Sequence, residues 1–71
     1  MRYRVKESFK PRCCDNYFDI GQILEIVRQT SKNRLTVNAY EYHLVKGYFI
    51  RGSHNVKRST FFRCCEELNE N

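Results

Sequence analysis

The sequence predicts a mainly α fold, a small trihelical domain behind a short extended N-terminal arm. Two spacings and one size argument carry that expectation. Ile20, Ile23, Leu24 and Val27 fall at i, i+3, i+4 and i+7, and Phe61, Cys65 and Leu68 fall at i, i+4 and i+7, each a single stripe along a helix. At 71 residues, with 41% hydrophobic side chains, five Tyr and five Phe, the chain supports one folded core and no second one. The expected organisation is an arm over residues 1–12 and a single helical domain over 13–71.

Taken in order, residues 2–9 alternate, with Arg2, Arg4 and Lys6 on one side and Tyr3 and Val5 on the other, which reads as extended chain. Pro11, the only proline, ends the segment. A first helix is expected over about 19–30, with Asp19 as N-cap and Gln22 three residues on as its capping-box partner. Its β-branched residues, Ile23, Ile26 and Val27, argue the other way, for a strand. Thr30-Ser31-Lys32-Asn33 is a polar connection. Thr36 then caps a second helix over about 37–46, with Ala39, Tyr40, His43 and Leu44 on one face and Gly47 just past its end. Tyr48-Phe49-Ile50 is a short extended piece or a last turn, and Arg51 to Asn55 form a loop by composition. The third helix covers Val56 to Leu68, its basic residues near its start and Glu66 and Glu67 near its finish.

Charge is unevenly distributed. Arg2, Arg4, Lys6, Lys10 and Arg12 face only Glu7 in the first block, and Lys46, Arg51, Lys57, Arg58 and Arg63 occur with no acid between them. Two basic blocks on a chain of net charge +5 suit a polyanionic partner. The four cysteines are two adjacent pairs, Cys13-Cys14 and Cys64-Cys65. Adjacent side chains diverge, whereas zinc ligands are spaced to converge, so no metal site is expected. One member of each pair should pack as a small apolar group while the other stays half exposed.

The stretch Val56, Ser59, Thr60, Phe61, Phe62, Arg63 and Leu68 resembles the recognition-helix segment of helix-turn-helix and winged-helix DNA-binding domains, with Cys65 in place of the usual Leu. Ile23 to Val27 resembles the first helix of such domains, and Leu35-Thr36 the start of the second. Lys57 stands where a capping Ser is common, and the chain ends too soon for a wing. The resemblance implies a wingless trihelical domain binding double-stranded DNA as a transcription regulator. Its contact residues would be Lys57, Arg58, Ser59, Thr60, Phe62 and Arg63. Arg58 and Arg63 would meet guanine edges, and Ser59 and Thr60 would bond phosphate at the helix start. Arg2, Arg4 and Lys6 would track the backbone or minor groove as a basic arm. A homodimer is expected, because one short helix seldom reads enough bases.

Two alternatives stand beside this reading. The first is a small all-β SH3-like barrel, with strands over 2–9, 22–28, 34–39, 46–51 and 60–65. It would be a small phage-type interaction protein that binds and modulates an acidic host protein through its basic surface. The lack of Asn-Gly or Asp-Gly turns argues against it. The second keeps the helices and replaces DNA with a protein. No Ser/His/Asp order, carboxylate pair or Gly-rich phosphate loop stands out, so neither catalysis nor a cofactor is expected. With no apolar run near the roughly 18 residues of a membrane span and no signal-peptide pattern, the chain is expected in the cytoplasm.

Overall fold

The computed structural model describes the backbone of residues 1–11, 17–43 and 47–69, and their side chains apart from 41–51. The element order is β1 (Arg2–Val5), β2 (Ile23–Ser31), β3 (Arg34–His43), β4 (Gly47–Lys57), α1 (Arg58–Cys64) and β5 (Cys65–Glu67). All five strands join one antiparallel sheet in the order β4-β3-β2-β1-β5. The mainly α expectation is therefore overturned: there is no three-helix arrangement, and the one helix among the described residues has seven residues. The five-strand alternative comes nearer in strand content. The sheet stays open, however, with β4 and β5 as its two edges, and the segment assigned to the fifth strand of that barrel is mostly α1.

The N-terminal segment is extended as expected but is no arm. β1 lies between β2 and β5, with Tyr3 opposite Leu24 and Glu67, and with Val5 opposite Cys65. Its alternation decides which side faces the core, since Tyr3 and Val5 are buried while Arg4 is exposed.

The first expected helix is β2. Leu24 is fully buried, but Ile20 and Val27, members of the same helical stripe, are 70% and 46% exposed. Period two wins because β2 is flanked on both sides, by β1 and β3, and its β-branched side chains suit a pleated surface. Asp19 and Gln22 do pair, but across a turn. The Gln22 N–H donates to the Asp19 carbonyl at 3.1 Å, and the Asp19 N–H donates to Gln22 Oε1 at 3.3 Å. Gly21 has φ +93°, the value that the third position of a type II turn demands. A capping-box pattern thus closes a β-turn.

The second expected helix is β3, where Leu35, Val37 and Ala39 alternate at 3%, 0% and 1% exposure. Thr36 caps nothing: its hydroxyl bonds that of Thr30 across the β2–β3 pair. The hairpin turns at Lys32-Asn33 without positive φ, so the primed turns that Asn-Gly would mark are not used. Register irregularities between Ile26 and Arg28 and between Gln29 and Ser31 absorb the mismatch. The end of that expected helix, residues 44–46, lies outside the described residues. The expected loop over Arg51 to Asn55 is part of β4, paired with β3 through Ala39↔Gly52, Val37↔His54 and Leu35↔Val56.

The third expected helix survives in its central seven residues. It buries Phe61 and Cys64, and Cys65 turns extended and enters β5. Both members of the second cysteine pair are buried, Cys64 at 0% and Cys65 at 5%, against the expectation that one stays half exposed. The Cys13-Cys14 pair lies outside the described residues.

The core is the inner sheet face closed by α1. Tyr3, Val5, Leu24, Val37, Val56 and Phe61 meet there, and the Tyr3 and Phe61 rings pack edge to face at 5.0 Å. The β1–β2 connection adds a second layer. Phe9 and Phe18 form an antiparallel bridge with rings 5.1 Å apart, and Phe18 meets the His54 ring at 5.2 Å.

Candidate nucleic-acid interface

Cations of the described residues stand in two different settings. On the outer sheet face Arg2 and Arg4 are engaged. The Arg4 Nε donates to Glu66 Oε1 at 2.9 Å, joining β1 to β5. Arg2 lies 5.2 Å from the centre of the Tyr40 ring, whose hydroxyl donates to Glu25 at 2.7 Å. That hydrogen bond to a carboxylate raises the Tyr40 pKa above its ordinary value, with burial adding to it. Ser53 donates to Asn38 at 2.7 Å. Arg2 and Arg4, expected to reach into a duplex, instead decorate a sheet face and are engaged there.

The second setting is the end of the sheet where β3 begins and β4 ends. Arg34 and Lys57 are directly opposite each other in the β3–β4 ladder. With Phe9, Lys10 and Thr60 they line a cleft of about 250 Å³. Arg58, next in the chain, donates its N–H to the Asn33 carbonyl at 2.8 Å, which ties α1 to the hairpin turn. Phe9 anchors Lys10 by packing into the core, and Pro11 beyond it is fully buried. Three cations from three separate segments thus converge, with no carboxylate among the described residues of the lining. Like charges opposite one another in a ladder destabilise a sheet. An anion seated between them removes that penalty.

Of the residues expected to contact DNA, Lys57 and Thr60 line this cleft. Ser59 is exposed on α1. Arg58 is exposed with its guanidinium 5.0 Å over the Phe62 ring. Arg63 is exposed, with Nη2 3.7 Å from the Cys64 sulfur. Lys6 is exposed, and its backbone N–H donates to the Cys64 carbonyl at 2.7 Å. The recognition-helix role itself falls away. Seven residues with Phe61 and Cys64 in the core do not form a helix that enters a groove, and so short a helix offers no anion site at its start. Sequence reasoning missed Phe9, Lys10 and Arg34 as a group. Lys10 counted only toward the first basic block, and nothing local to Arg34 marks it as the partner of Lys57.

Burial pushes the Cys65 thiol up to about 12, so at neutral pH it is neither a thiolate nucleophile nor a ready ligand. Burial likewise raises Tyr3 and lowers His54. Among the described residues, no three His, Cys, Asp or Glu side chains group to hold a metal ion. No described helix is long and apolar enough to cross a membrane. Comparison with family models, curated proteins and solved structures finds no match to this chain.

Proposed function

We propose that the chain is a non-enzymatic nucleic-acid-binding protein that grips the phosphate backbone through the cleft of Lys10, Arg34 and Lys57. The observation that carries this reading is the unrelieved opposition of Arg34 and Lys57 across the β3–β4 ladder, beside a third cation. Phosphate is the anion that a nucleic acid supplies repeatedly along one line. Arg meets it with a planar fork, Lys as a point charge, and the Thr60 hydroxyl adds a neutral donor. Such contacts hold the backbone and carry no sequence information of their own. Backbone grip does not require the homodimer that a lone recognition helix would.

Fluorescence anisotropy with one labelled oligonucleotide, single-stranded and as duplex, over roughly 50 to 200 mM salt tests this. Arg34→Ala and Lys57→Ala should each weaken binding and lower the log–log salt slope by about 1 for each lost phosphate contact. Arg4→Ala, on the outer face, should leave both unchanged. Equal affinities for wild type, R34A and K57A would remove the cleft from the account.

A further inference from the structure

Phe62 is a large apolar side chain left 42% exposed on α1, next to the fully buried Phe61. It does not stand alone. Its ring packs at near right angles against Tyr3 at 5.9 Å and against Phe61 at 5.3 Å, which fixes its orientation. The Arg58 guanidinium lies over it at 5.0 Å. Arg58 is itself exposed. The surface there is a step, the Phe62 ring held edge to face by the buried Tyr3 and Phe61 and covered by the Arg58 guanidinium, which is open to solvent.

Its position relative to the cleft follows from helix geometry. At about 100° per residue, Thr60 and Phe62 lie on opposite flanks of α1, one helix diameter of about 10 Å apart. Ser59 and Arg63 occupy the outward face between them, away from the buried Phe61 and Cys64. A strand whose phosphates sit in the cleft and that crosses α1 thus meets a hydroxyl and a guanidinium on the way, and reaches the stacked step on the far flank.

We infer that Arg58 and Phe62 form a stacking platform for an unpaired base, so that the nucleic acid bound is single-stranded. This rests on the reading of the cleft given above. A duplex keeps its bases stacked on one another and shows only phosphates and groove edges. A planar guanidinium backed by an aromatic ring is satisfied by the face of a base that has left the stack, and such platforms tolerate any base. The positive charge adjoining the step, from Arg58 and Arg63, holds the flanking phosphates.

The test uses a single-stranded oligonucleotide carrying 2-aminopurine, whose emission is quenched on stacking, and a duplex of the same sequence. Wild type should quench the probe and bind the single strand at least tenfold more tightly than the duplex, against the roughly 1–3 kcal/mol that base–aromatic stacking contributes. Phe62→Ala and the milder Phe62→Leu should both lose the quenching and most of that preference, while the salt slope set by the cleft persists. R58K should keep the charge and lose quenching, because an ammonium has no plane. If R34A and K57A weaken binding but F62L leaves quenching and preference as in wild type, the platform is wrong and the cleft stands. If R34A and K57A have no effect, the cleft reading itself fails.

Discussion

Phe61 is the residue on which the closure of the core depends. It is wholly buried, sits on the only helix among the described residues, and packs edge to face on Tyr3 of β1. Phe61→Ala leaves a cavity between α1 and the sheet and should cost about 3–5 kcal/mol. That is a large share of what a domain of this size holds in total. A urea titration reads the loss, and a shift worth less than about 1 kcal/mol would mean that α1 does not close the core. His54 gives the same region a pH dependence. Burial holds its imidazole below the ordinary value of 6.5, so the folded protein binds the proton less readily than the unfolded chain. The stability from neutral His54 is whole above about 6.5 and declines as pH falls below it. H54Q should flatten that decline between pH 7.5 and 5.5 in the same titration. The burial of Phe61 was expected from the sequence, but on a stripe with Cys65 and Leu68 that the short helix does not contain; in α1 it is buried together with Cys64. The role of His54 was not, since it depends on Phe18, far away in the chain.

Each of the three expected helices fails, or shrinks, for a reason that can be stated at its own scale. Over 19–30 the helical stripe and the strand alternation share Leu24. Only pairing with β1 and β3 chooses between them, and β1 comes from the far end of a long connection. Over 34–43 the alternation of Leu35, Val37 and Ala39 was present in the sequence and was outweighed by a cap at Thr36 that the fold does not use. Over 56–68 the outer turns are taken by β4 and β5, whose ladders hold them extended. The missing Asn-Gly and Asp-Gly signals misled because the β2–β3 hairpin relies on irregular register and not on a primed turn. The β1–β2 connection does carry one steric requirement, at Gly21. Its φ of +93° suits glycine alone, with open space where a Cβ would stand. Gly21→Ala should therefore destabilise by about 1 kcal/mol or more through backbone strain, with no clash to relieve. A thermal melt of the variant measures it, and an unchanged midpoint would place the turn in another conformation.

At the scale of the molecule, the cations stand in two settings along the sheet. Over β1 and β2, Arg4 pairs with Glu66 and Arg2 sits on Tyr40 beside Glu25, so these two cations are engaged. The end of the sheet near α1 gathers Lys10, Arg34 and Lys57 with no acid among the described lining residues. Composition alone led to the expectation of a polyanionic partner, and two of the cleft residues, Lys57 and Thr60, lie in the segment singled out for that role. What it could not show is that Lys10 and Arg34 complete the group, because that convergence is a product of strand order. The most direct measurement is a titration of the ¹⁵N-labelled protein with a single-stranded oligonucleotide, followed by the shifts of its backbone amides. Concentrated shifts at Lys10, Arg34, Lys57 and Thr60, extending over α1 to Phe62, are the predicted result. Shifts confined to the residues around Arg4, Asn38 and Ser53, or none at all, would contradict it.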